Sequence, residues 1–301
     1  MVMIKASEHD LARPRWARVT CISPAGLHEM AYQEWGDPSN PDTVVCVHGL
    51  TRLSQDFNVL AKHLSARYRV VCPDVVGRGR SSWLKNPMLY GVPQYAADMI
   101  TLIARLNVPQ VKWVGTSMGG LIGMTLASLQ NSPIERLILN DVGASLSGEA
   151  LARIASYVGL MTHFPDRETA HKTLREVFSG FGPHSDDEWH ELIDPGLVAD
   201  TEGKGVRVHY DPAIAEPFRQ TYSMGAIVPN LELWPVYDAI QCPTLLLRGA
   251  QSDLCTQAVA EAMSHRGPRA QSIAFAGVGH APSLMHDDQI QVVSQFLSSS
   301  P

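Results

Sequence analysis

The sequence has little of what marks extracellular, membrane or nucleic-acid-binding chains. Five cysteines in 301 residues is few, and the number is odd. They stand apart at Cys21, Cys46, Cys72, Cys242 and Cys255, with no Cys-x-x-Cys pair and no Cys/His array of zinc spacing. A disulfide-built scaffold and a zinc module are therefore excluded. Cys46 and Cys72 lie in apolar runs and read as buried free thiols, which suits a reducing compartment. No apolar run reaches the roughly 18 residues that would span a bilayer. The leading segment, MVMIKASEHDLARPRW, is charged and lacks an apolar stretch of signal-peptide length. The expectation is a cytoplasmic protein without a membrane partner, monomeric or homodimeric. Basic clusters are missing too: 24 Lys and Arg stand against 30 Asp and Glu, a net charge of −6, so no nucleic-acid partner is expected. What is abundant is apolar material, 45% of residues, enough for a sizeable core and too much for a disordered chain.

The apolar residues are arranged in a rhythm. Trp16 to Cys21 and His28 to Trp35 flank the turn residues 23–26 and read as an antiparallel hairpin. Thr43 to Val47 and Arg69 to Cys72 are short β-branched runs, as strands buried on both faces are. Residues 94–106 have helical spacing, 111–115 read as a strand, 118–129 as an apolar helix and 136–140 as another strand. Such alternation means βαβ units, hence an α/β fold with a mostly parallel twisted sheet and helices on both faces. From about Gly143 the rhythm stops, and it returns at Cys242. The organisation expected is a core of residues 1–143 and 236–301 interrupted by a mostly helical insertion, 144–235.

The strongest chemical signal is Gly115-Thr116-Ser117-Met118-Gly119. It falls where a buried strand meets an apolar helix, the context of a nucleophile elbow. Glycines at 115 and 119 clear space for a turn too tight for side chains. The helix beginning at Met118 aims its free N–H groups where negative charge develops.

With three further blocks, this segment resembles the α/β-hydrolase superfamily, in its cap-containing carboxylesterase and lipase-like branch. His48-Gly49-Leu50 follows the third strand, Pro73-Asp74 with Gly77, Gly79 and Ser81 follows the fourth, and Gly277-Val278-Gly279-His280 follows the last. The resemblance runs from about Trp16 to Leu297 and implies an α/β-hydrolase fold with an inserted helical cap.

It also implies roles. Ser117 is the nucleophile, and His280 the base that a hydroxyl needs at neutral pH, with His286 the weaker alternative. Asp253, after the strand 244–247, matches the usual position of the orienting acid; Asp141, at the end of the strand 136–140, is where some members carry it instead. The backbone N–H groups of Leu50 and Met118 form the oxyanion hole. No metal or organic cofactor is implied. Arg52 lies close to the expected site and is a candidate to hold a substrate carboxylate, or simply to brace the core. Met161 and Phe164 are candidates to line a substrate pocket, with Tyr157, Phe178, Phe181, Trp189, Phe218 and Met224. The implied activity is hydrolysis of a small-molecule carboxylic ester, of small to medium apolar character. C–C bond hydrolysis of meta-cleavage products and lactone hydrolysis use the same triad. The first usually goes with a Gly-rich oxyanion loop, and this chain has Leu50-Thr51-Arg52-Leu53 there. A non-catalytic ligand-binding role would waste the three residues.

Overall fold

The computed structural model describes residues 13–201, 203–221 and 229–299. The chain opens with β1 (Arg15–Ser23) and β2 (Gly26–Trp35), then β3 (Thr43–Val47), α1 (Asn58–Leu64), β4 (Arg69–Pro73), α2 (Val92–Leu106), β5 (Val111–Thr116), α3 (Met118–Ala127) and β6 (Ile134–Asn140). The stretch expected to form an insertion follows: β7 (Ser145–Leu146), α4 (Gly148–Tyr157), β8 (His163–Phe164), α5 (Arg167–Val177), α6 (Asp186–Ile193), β9 (Leu197–Ala199), β10 (Val206–Val208), α7 (Ala215–Thr221) and β11 (Leu231–Glu232). The core resumes with α8 (Trp234–Asp238), β12 (Thr244–Gly249), α9 (Gln257–His265), β13 (Gln271–Phe275) and α10 (Asp287–Ser298).

Eight strands form one sheet in the order β1-β2-β4-β3-β5-β6-β12-β13. The hairpin strand β2 pairs antiparallel with β1 and β4, and the other neighbours pair parallel. Every residue of β3 and β12 is buried, as the apolar runs require of strands covered on both faces. The chain passes from β3 outward to β4, then crosses back to β5. The strand order therefore reverses beside β3 and β5, and the crevice at their carboxyl ends is where open α/β sheets bind ligands. Trp113 on β5 is wholly buried and donates its indole N–H to the Gly119 carbonyl at 3.0 Å, which fixes α3 against the sheet.

The described residues of this stretch are mostly helical, with short strands that the sequence pattern does not predict. Three short strands form a separate antiparallel sheet, β8-β10-β9, and β7 pairs with β11 where the chain leaves and rejoins the core. Strands of two or three residues carry too few positions for an alternating pattern to register in sequence. Among the described residues no helix is long and apolar enough to cross a membrane.

Candidate active site

Ser117 sits between β5 and α3 with φ of 51° and ψ of −113°, a conformation that costs a non-glycine residue of order 1–3 kcal/mol. Its surroundings impose it. The Ser117 N–H donates to the Asn140 carbonyl at 2.9 Å, and its carbonyl accepts from the Gly120 and Leu121 N–H groups. A Cβ on Gly115 would fall 2.3 Å from the Gly119 carbonyl oxygen, and one on Gly119 would fall 2.0 Å from that of Val47. Only glycine fits either position.

His280, in the loop after β13, reaches Ser117: its Nε2 lies 2.9 Å from the hydroxyl. Its Nδ1 lies 2.6 Å from Oδ2 of Asp141. A carboxylate can only accept, so Nδ1 carries the proton and Nε2 is left to accept from Ser117. Asp141 is fully buried directly after β6, and its carboxylate is held by donors. Oδ1 accepts the Gly249 N–H at 2.9 Å and Oδ2 the Ser252 hydroxyl at 2.6 Å.

Asp253, the residue expected to orient the histidine, does not meet it. Its side chain is 57% exposed and pairs with Arg153 of α4 at 2.6 Å. Beyond Gly249 the chain turns so that Ser252, not Asp253, points inward to the carboxylate of Asp141. The sequence held a signal for the other choice. Asp141 follows a buried strand with no intervening residue and precedes Val142 and Gly143, whereas Asp253 follows Gln251 and Ser252 in a polar loop. His286 also stands apart from the serine, against Glu188 at 3.5 Å.

Leu50 and Met118 both border the space at Ser117. Met118 opens α3, so its N–H has no acceptor one turn back. A single buried guanidinium ties the two residues together: Arg78 donates from Nε to the Leu50 carbonyl at 2.8 Å, and its Nη2 lies 3.5 Å from the Met118 sulfur. His48 braces the same loop. Its Nδ1 donates to the Gly49 carbonyl at 2.7 Å and its Nε2 accepts the Val75 N–H at 3.0 Å. Complete burial pushes its pKa down to about 3, so it stays neutral and cannot serve as the base at its usual pH. Asp74 is likewise structural. It accepts the Ser54 and Arg80 N–H groups, and burial raises its carboxyl above the ordinary range.

Two cavities meet at Ser117, of about 100 and 140 Å³, where a single water needs roughly 10–15 Å³. The first is bounded by His280, Arg52, Tyr157, Phe178 and Phe181. The second is more apolar, with Leu50, Met118, Tyr95, Leu121 and Leu254 among its walls. Tyr157, Phe178 and Phe181 come from the insertion, and Phe218 borders the second cavity. Phe164, expected in the pocket, is buried in the insertion's own small sheet, where it pairs with Val206. Met161 is 43% exposed and borders a side cavity beyond Tyr157 and Phe178 rather than the space at Ser117. Trp189 packs in the core, and Met224 lies outside the described residues. Phe164, Met161 and Trp189 were not separable from the lining residues by type, because helical spacing shows which residues turn inward but not what they face.

Arg52 is buried and braced. Nε and Nη2 bind the Asp56 carboxylate at 2.8 and 2.6 Å, and Nη2 also donates to the Leu192 carbonyl at 2.5 Å. Its guanidinium stacks on Phe178, 4.6 Å from the ring centre. Among the described residues two groups bring metal-ligand atoms together: Cys21, His28 and Asp98, and His171, His190 and Asp194. Both are also bonded internally, His28 to Asp98 at 3.0 Å and both insertion histidines to Asp194 at 3.0 Å, and neither borders the two cavities at Ser117.

The strained serine at a sheet edge, the histidine beside it and the mostly parallel sheet define a class. The profile of the alpha/beta hydrolase fold family matches residues 42–287, and the chain belongs to that family. It is an enzyme of the hydrolase class. Over 291 residues it is 48% identical to the 3-hydroxybutyrate-oligomer hydrolase of Cupriavidus necator, covering 96% of this chain and 99% of that one. A pimeloyl-[acyl-carrier protein] methyl ester esterase of Xanthomonas campestris is 26% identical over 269 residues, 86% of this chain and 96% of its own length. Among solved structures, an alpha/beta hydrolase from Novosphingobium aromaticivorans superposes with a TM-score of 0.82 at 34% identity, covering 95% of this chain and 99% of that one.

Proposed function

We propose that the chain is a serine-dependent carboxylic ester hydrolase that works through an acyl-enzyme, and that its substrates are short oligoesters of a hydroxy acid. The observation that carries the chemistry is the chain of two hydrogen bonds, Ser117 to His280 at 2.9 Å and His280 to Asp141 at 2.6 Å. The buried Asp141 carboxylate fixes the imidazole tautomer and balances the charge the ring gains. Ser117 Oγ attacks the ester carbon as His280 Nε2 takes its proton. The oxyanion is met by the N–H groups of Leu50 and Met118. His280 then gives the proton to the leaving alcohol, and water, deprotonated by the same ring, releases the acid. The 48% identical relative, an oligomer hydrolase along nearly its whole length, supports the substrate class.

Residues 144–235 act as a cap in this reading: the insertion supplies Tyr157, Phe178 and Phe181 to the cavity and limits the length of chain admitted. The test is release of 3-hydroxybutyrate from its linear dimer and trimer, alongside p-nitrophenyl butyrate. Ser117→Ala is expected to lower turnover of all three by roughly 10⁴-fold or more while the thermal midpoint barely moves. Retention of a tenth of the activity would refute the nucleophile.

A further inference from the structure

Resting on that reading, the geometry points to Arg52 as the anchor for the free carboxylate of the departing hydroxy acid, so that oligoesters are cut one unit from their carboxyl end. The first step of the argument is direction. His280 Nε2 must protonate the leaving oxygen, so the leaving group lies on the side of the imidazole. The cavity on that side is the one bordered by His280, Phe178, Phe181 and Arg52. The acyl part is left to the more apolar cavity beside Leu50 and Met118.

Arg52 supplies the sole guanidinium or ammonium group among the described residues that border the leaving-group cavity. It is also close to the reacting atoms. A Cβ on Gly49 would sit 3.7 Å from Arg52 Cγ and 3.8 Å from Ser117 Cβ, so the two side chains flank one glycine. In a β-hydroxy acid the carboxylate carbon is three bonds from the ester oxygen, a comparably short reach. The guanidinium is already oriented. Asp56, the Leu192 carbonyl and the Phe178 ring hold Nε, Nη2 and one face, while Nη1 makes no hydrogen bond to the described residues. Ordering has therefore been done before the ligand arrives, and the Nη1 edge remains for an acceptor. Asp56 neutralises the arginine when the cavity is empty. Its repulsion of the incoming carboxylate keeps the anchor weak, which favours release of the product. Nothing else is required: the proton leaving Ser117 ends on the hydroxyl of the released acid, and water completes the second half.

The experiment compares the linear hydroxybutyrate dimer as free acid with the same dimer as its terminal primary amide, by kcat/KM. The wild-type protein is expected to prefer the acid by about tenfold or more, the discrimination typical of a charge-assisted hydrogen bond. Arg52→Gln should bring the ratio near one, and Arg52→Lys should restore part of it. A trimer labelled in its carboxyl-end unit checks direction without any variant, because the first monomer released should carry the label. Equal rates on acid and amide, label in the last product, or an unchanged ratio in Arg52→Gln would overturn the anchor. Loss of all cleavage in the wild type, p-nitrophenyl butyrate included, would instead overturn the esterase reading on which it rests.

Discussion

Asp141 and Asp253 are chemically identical, yet their surroundings give them different work. Asp141 is fully buried and accepts from Gly249, Ser252 and His280, whereas Asp253 is a solvent-facing partner of Arg153. Asp141→Asn keeps the shape but offers an amide to His280 and favours the wrong tautomer. Its kcat is expected to fall by about 10³–10⁴-fold in a steady-state ester assay. Asp253→Asn breaks an exposed ion pair worth under about 1 kcal/mol and should leave kcat within a few-fold. The opposite ranking would mean that the His280 partner acts elsewhere. Ser117 and His280 were legible because each lies among small residues at a strand end, a local pattern. The acid was legible only in part: two adjacent strands each end near an aspartate, and the direct succession of Asp141 on its strand was the one cue that set them apart. Which one turns inward depends on the path after Gly249, which is set by the neighbouring His280 loop. Arg52 was legible as a cation near the site, but its partners Asp56, Leu192 and Phe178 come together only in the folded chain.

At the level of elements, the site is assembled from loops brought close by missing side chains. A Cβ on Gly249 at the end of β12 would lie 1.8 Å from the Gly279 carbonyl oxygen, and one on Gly180 would lie 3.0 Å from that of His280. The His280 loop is thus held between β12 on one side and the insertion on the other. The loop after β3 is held differently, by the neutral His48 that bridges it to the loop after β4. This bridge has a pH signature. In the unfolded chain His48 titrates near 6.5, in the fold near 3, so between those values the unfolded state binds the extra proton. The stability His48 contributes is therefore complete above about pH 6.5 and is lost as pH falls toward 3. His48→Gln, which keeps a donor and an acceptor, is expected to flatten the dependence of the urea midpoint on pH between about 6.5 and 4, by up to one proton. His184 and His209, whose pKa values burial also lowers, keep their share of the slope in both proteins. An identical slope for variant and wild type would show that His48 protonates in the native state.

Across the whole molecule, the loss of βαβ alternation after Gly143 was legible because such alternation is periodic, and the described chain there carries β7 and α4 in place of another core strand and helix. The attachment of this stretch was not visible, since backbone hydrogen bonds carry no residue signature. The Gly279 N–H donates to the Gly180 carbonyl at 2.7 Å, Gly79 to His209 at 2.8 Å and Asp211 to Gly77 at 2.8 Å. Arg52 adds its bond to the Leu192 carbonyl, and Tyr90 donates its hydroxyl to Asp211 at 2.5 Å. These bonds fasten the insertion to the core at separated points, from the histidine loop round to the loop after β4. In the proposed reading this segment roofs the site, and a roof fastened at so many places does not swing as one body on a hinge. Lipid-surface enzymes that must lift a lid are slow on dissolved ester and quicken once droplets form. On that reading this protein should meet dissolved substrate at full speed. Its rate on tributyrin, followed by titration of the released acid, should rise smoothly and saturate with no jump as the solubility limit is crossed; a sharp increase there would mean that the fastenings release.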